Sequence, residues 1–138
     1  MKGCNSRLAT GISVTLREMQ EFDQILAYLV DNVDGAMSAA VGGMDGLLID
    51  QYPQQGNDLS AIAAEQTNIL TNTRNAYSQS LAGGGIKELI VTADHLIGYT
   101  RLLNDELFCL IVMDTSGNIG KARLYTEQAS KQILEALT

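Results

Sequence analysis

The sequence predicts an α+β domain in which one five-stranded antiparallel sheet lies between helices, in the order helix, two strands, helix, three strands, helix. Three observations carry this reading. Segments near the beginning, middle and end of the chain repeat apolar residues with the 3.6-residue period of a helix. Shorter apolar runs between them are separated by turn residues. The connections between neighbouring runs are short, which makes their strands antiparallel. At 138 residues, 46% hydrophobic and 18% charged, the chain is one domain in size and too apolar to stay disordered. Pro53 is the only proline, so glycines do most of the punctuation.

Thr15 and Glu18 have the spacing of a capping box, with Val14 and Met19 placed as its hydrophobic staple. The helix they start carries Leu16, Met19, Phe22, Ile25, Leu26, Leu29, Val30 and Val33 on one face, and Gly35 follows as its stop. Ala36 to Gly42 and Leu47 to Tyr52 flank an Asp45-Gly46 turn and read as a hairpin. Asn57 or Asp58 can cap a second helix reaching about Leu81, with Leu59, Ile62, Gln66, Ile69, Leu70, Thr73 and Tyr77 facing inward. Gly83-Gly84-Gly85 ends it. Three strands follow, Ile86 to Ala93, Leu96 to Leu103 and Leu107 to Met113. A last helix opens after Asp114-Thr115-Ser116-Gly117, with Ser116 as its cap, and its core stripe is Ile119, Ala122, Ala129, Ile133, Leu134 and Leu137.

Nine Lys and Arg against sixteen Asp and Glu give 9 − 16 = −7, which argues against nucleic acid and anionic lipid as partners. No apolar run approaches the roughly 18 residues that span a bilayer, and residues 1–13 hold no secretory apolar block. A cytoplasmic protein with no membrane insertion is expected. One His and two Cys cannot build a Cys/His zinc site within one chain. No metal or cofactor is expected. Cys109, inside an apolar strand, reads as a small hydrophobe, and Cys4 as an accessible thiol.

Three places invite a catalytic reading and do not sustain it. Gly117-Asn118-Ile119-Gly120-Lys121-Ala122 has two residues, not four, before Gly-Lys and Ala122 where a phosphate loop needs a hydroxyl; glycine spacing for close packing explains it better. His95 beside Asp94 reads as a solvated turn. Asp45 reads as a turn residue and Asp50 as the exposed end of a strand. The chain is not expected to be an enzyme.

Two surfaces point instead to protein contact. The outward side of the second helix carries Ala61, Ala64, Asn68, Thr71, Asn72, Asn75, Ser78 and Gln79, and from Gln66 to Leu81 the only charge is Arg74. Such small neutral residues let another backbone come close, and charge depletion is typical of interface centres. The third strand is the other surface. Following a long crossover, it is expected at the sheet edge, and its apolar second half has no proline or central lysine to block pairing.

This element order, together with Gly42-Gly43-Met44-Asp45-Gly46-Leu47-Leu48-Ile49 and Gly117-Asn118-Ile119-Gly120-Lys121-Ala122-Arg123, resembles the roadblock/dynein light chain family. The likeness covers about residues 15–138 and is greatest to prokaryotic members of the MglB type, which act on a small Ras-like GTPase in cell polarity or motility. It implies a profilin-like sandwich over residues 14–138 after a flexible segment at 1–13. It also implies a homodimer whose third strands pair into one ten-stranded sheet. The dimer contact would involve Ala61, Thr71, Ile86, Glu88, Leu89, Ile90, Val91 and Thr92. The GTPase would dock on Ala64, Asn68, Asn72, Asn75 and Gln79, and its own catalytic residues would be repositioned without an arginine finger from the regulator. The alternative the family offers is a scaffold of dynein-light-chain type that leaves hydrolysis unchanged. Some MglB-type members touch the GTPase with a C-terminal tail, which is not expected here because Thr138 directly follows the last helix.

Overall fold

A computed structural model describes residues 5–7, 13–56 and 58–137. A short ribbon of β1 (Asn5–Arg7) antiparallel to β2 (Ser13–Thr15) precedes the first helix. The expected flexible segment at 1–13 therefore contains paired strand residues at 5–7 and 13, and the remainder, with Cys4, lies outside the described residues. Helix α1 (Leu16–Asn32) begins where the capping box predicts, with Thr15 Oγ1 accepting the Glu18 N–H at 3.1 Å. Phe22, Leu26, Leu29 and Val33 are buried. Leu16 departs from the expected stripe and is 61% exposed, because the first turn extends past the sheet-facing core cluster.

Strands β3 (Ala36–Gly43) and β4 (Leu48–Tyr52) form the expected hairpin. Asp45 Oδ1 accepts the Leu47 N–H at 3.1 Å, and Gly46 takes a φ of +89°, the left-handed conformation this turn requires. Helix α2 (Ser60–Asn75) continues through a π-helical turn over Ala76–Ser80, close to the predicted end. Asp58 Oδ1 accepts the Ser60 N–H at 2.9 Å, whereas Asn57 lies outside the described residues. Strands β5 (Glu88–Thr92), β6 (Ile97–Leu102) and β7 (Leu107–Met113) make the antiparallel meander. The sheet order is β4-β3-β7-β6-β5, which puts β5 at an edge.

Helix α3 (Ile119–Ala136) is capped by Asn118, whose Oδ1 accepts the Lys121 N–H at 3.0 Å. The expected cap Ser116 is engaged elsewhere, donating its N–H and its hydroxyl to Asp114 Oδ1 at 2.9 and 2.5 Å. The glycines of this loop do serve close packing. A Cβ on Gly35 (φ +82°) would stand 2.6 Å from Gly117 Cα, and one on Gly117 would stand 2.8 Å from Met113 Cβ. The end of α1 and the start of α3 thus meet backbone to backbone, with Asn118 N–H donating to Asp34 O at 3.0 Å and Lys121 Nζ 3.2 Å from Asp34 Oδ2.

Strand β7 is buried along its whole length and divides the core by alternation. Cys109, Ile111 and Met113 pack with Phe22, Leu26, Leu29, Ala122 and Ile133 on the α1/α3 side. Phe108, Leu110 and Val112 pack with Leu59 and Ala63 of α2 on the other. Complete burial pushes the Cys109 thiol up to about 12, so its thiolate is scarce at neutral pH. Among the described residues no helix is long and apolar enough to cross a membrane.

Candidate functional site

What presents the α2 surface is a polar clamp on the opposite side of the same helix. Gln66 is buried, its Nε2 donating to Gly98 O at 3.3 Å and its Oε1 accepting from Thr100 Oγ1 at 2.8 Å. A buried amide satisfied at both ends fixes the rotation of a helix more sharply than apolar contact does. Gly98 makes the approach possible, since a Cβ there would lie 3.2 Å from the Gln66 amide nitrogen. Toward the helix start, Gly46 gives equivalent room, its missing Cβ lying 3.4 Å from Ala64 Cα and 3.3 Å from Thr67 Oγ1.

With α2 so fixed, Ala61, Asn68, Thr71, Asn72, Asn75 and Gln79 are exposed, as the helical period predicts. Ala64 is half-buried beneath the β3–β4 turn, at the margin of that face, and Arg74 is half-buried too. Ile69 and Tyr77 depart from their expected inward positions, being 42% and 53% exposed. The clamp at Gln66 turns them toward the seam between α2 and the edge strand. There Ala61, Ile62, Ile69, Val91 and Leu96 line an open apolar groove of about 380 Å³. A second groove of about 440 Å³ runs from Ile69 past Tyr77 and the glycines at 83–85 to Leu89, and includes Ile86, which lies just before β5 rather than within it.

The backbone of β5 continues this surface. Leu102 N–H donates to Lys87 O at 2.9 Å, and Ala93 N–H donates to Leu96 O at 2.8 Å. Both bonds belong to the register in which Leu89 faces Thr100 and Val91 faces Gly98. Bonding pairs alternate in an antiparallel ladder, so the N–H groups of Glu88, Ile90 and Thr92 point away from the sheet. The side chains divide the other way. Leu89 and Val91 face α2, while Ile90 packs into the α1/α3 core.

Glu88 is held within its own protomer. Its Oε2 accepts from the Tyr99 hydroxyl at 2.6 Å and its Oε1 from Arg123 Nε at 2.8 Å. Burial acts to raise the Glu88 carboxyl, but the bonds from Tyr99 and Arg123 and the charges of Arg123 and Arg101 outweigh it and hold the group below its usual range. Burial first, then the Glu88 bond, pushes the Tyr99 hydroxyl up.

The remaining polar residues do not assemble. Asp94 and His95 are exposed in the β5–β6 turn. Asp50 differs from its expected exposed position: it is half-buried, and its Oδ2 has no hydrogen-bond partner among the described residues. Desolvation raises its carboxyl, a bond from the Gln51 N–H partly offsets this, and the charge of Asp23 adds to the rise. Among the described residues no three His, Cys, Asp or Glu side chains come together as metal ligands.

No family model and no curated protein matches the chain. Solved structures do. A Roadblock/LC7 domain from Streptomyces avermitilis superposes with a TM-score of 0.76 at 16% identity, covering 83% of this chain and 96% of its own. The gliding protein MglB from Thermus thermophilus gives a TM-score of 0.75 at 15% identity, with coverage of 87% and 90%. MglC from Myxococcus xanthus is 28% identical, with a TM-score of 0.56 and coverage of 82% and 96%. As the sequence motifs imply, the chain is a roadblock-fold protein, with MglB and MglC among its structural neighbours.

Proposed function

We propose that the chain is a non-enzymatic regulator that pairs with a second copy through β5 and the α2 flank, and that the pair binds a small Ras-like GTPase on the outward α2 face. One observation carries the reading. The outward N–H groups of Glu88, Ile90 and Thr92 adjoin an apolar seam lined by Ile69, Val91 and Leu96, beside an exposed helix face that carries the amides of Asn68, Asn72, Asn75 and Gln79. A bare strand edge next to exposed apolar surface is a liability that pairing with another copy removes. Antiparallel pairing of two β5 edges gives a ten-stranded sheet with both α2 helices on one face.

The GTPase contact is supported by the likeness to MglB-type proteins and by the neutral amide face of Asn68, Asn72, Asn75 and Gln79. Contact on such a face depends on shape and hydrogen bonds and only weakly on salt. The test is single-turnover GTP hydrolysis by the cognate small GTPase, timed with wild-type protein, with Asn72→Glu and with Arg74→Ala. Faster hydrolysis that Asn72→Glu abolishes and Arg74→Ala preserves supports the regulator. Binding with an unchanged rate identifies a scaffold of dynein-light-chain type instead. A loss on the order of 1,000-fold in Arg74→Ala contradicts the mechanism, because that is the effect of removing an arginine finger.

A further inference from the structure

On the reading that two copies pair through β5, the edge strand also limits how they align. Its outward N–H groups are those of Glu88, Ile90 and Thr92, so an antiparallel ladder forms where these residues stand opposite one another. A two-fold axis on Ile90 sets Ile90 against the partner's Ile90 and Glu88 against the partner's Thr92, which engages every one of these groups. Moving the axis to Val91 sets Glu88 against the partner's Asp94, two carboxylates directly opposed. Moving it to Leu89 sets Lys87 against the partner's Val91, an ammonium on the apolar seam, and carries Thr92 past the start of the partner's β5. An axis on Glu88 or on Thr92 leaves even Ile90 opposite backbone outside the partner's β5.

The apolar surface favours the same alignment. Leu89 and Val91 both face α2, one residue to either side of Ile90, and they line different grooves: Leu89 the one of about 440 Å³ and Val91 the one of about 380 Å³. Ile69 of α2, 42% exposed, lines both. We infer that the second copy aligns on Ile90, so that the Leu89 groove of each chain is closed by the Val91 groove of the other. Leu89 then lies against the partner's Val91 as a close pair outside the hydrogen bonds, with Cα atoms about 4.5 Å apart. Ile69 sits beside the axis, where the two kinds of groove meet.

The test is disulfide capture in a Cys4→Ser background, Cys109 being buried. Leu89→Cys, Val91→Cys and the two changes combined are oxidised mildly and run on denaturing gels without reductant. An axis on Ile90 puts positions 89 and 91 of opposite copies within disulfide reach and leaves like positions about 7–8 Å apart, beyond it. The combined variant is expected to become a covalent dimer, with about tenfold less cross-linking in either single variant. Efficient capture of Leu89→Cys alone places the axis on Leu89, capture of Val91→Cys alone places it on Val91, and no capture in the combined variant places it farther off; each overturns the inference. Thermal melting establishes which variants are folded. Should the combined variant not fold, Ile90→Cys decides, because its thiols meet on the axis from Cα atoms about 5.5 Å apart, and a folded dimer that fails to cross-link there overturns the alignment. A wild-type chain that is monomeric by light scattering instead overturns the pairing itself, which keeps the two failures distinct.

Discussion

Arg123 Nε lies 2.8 Å from Glu88 Oε1, and this contact ties the edge strand to the helix behind it. Tyr99 bonds the other oxygen of the same carboxylate at 2.6 Å, so one side chain joins β5, β6 and α3. The arrangement ties β5 to its neighbours on the α1/α3 side while the N–H groups of Glu88, Ile90 and Thr92 point outward.

Replacing Glu88 with Gln is expected to destabilise the fold at pH 7 by up to about 1 kcal/mol, because the Arg123 side of the contact is solvent-screened. The carboxyl is held below its usual range, so its contribution is complete above the unfolded value near 4.5 and is lost as pH falls through the folded value. Urea melts of both proteins at pH 7 and pH 3 check this: the gap should close at the lower pH.

Asp50 has the opposite sign. Its carboxyl is raised by burial, so the folded state holds a proton that the unfolded state gives up, and stability falls as pH rises from 3.8 through the folded value. Asp50→Asn removes that loss, although its amide nitrogen takes the place of the oxygen that lacks a partner among the described residues. At pH 7 it should stabilise by up to about 1 kcal/mol, half-burial limiting the gain, with little effect near pH 3. Thermal melts across that range give the comparison.

Gly35→Ala is expected to cost about 3 kcal/mol or more, since the new Cβ combines a positive φ with a backbone atom 2.6 Å away. Gly85→Ala meets nothing within 4 Å and should change stability by about 0.5 kcal/mol or less. Similar denaturation midpoints for the two variants would contradict the packing of α1 against the loop before α3.

Much of this was legible in residue order. Strand β7 was readable because Phe108 to Met113 supplies apolar side chains to both faces, and the first helix because Thr15 and Glu18 announce it. The edge position of β5 followed from the long crossover before it. Other features depend on contacts distant in sequence. Helical period alone places Ile69 and Tyr77 with Leu70, but Thr100 and Gly98, more than thirty residues from Gln66, set the rotation of α2. Ser116 loses its capping role because Asp114 takes its donors.

Pairing of β5 with a second copy is read from the solution mass of wild-type protein and Ile90→Pro by light scattering. The Ile90 N–H points away from β6, so proline there removes a donor from the outer edge while sparing the inner ladder. The wild type is expected at twice the chain mass and the variant as a folded monomer or aggregate. A wild-type monomer, or an Ile90→Pro dimer as stable as the wild type, would contradict it.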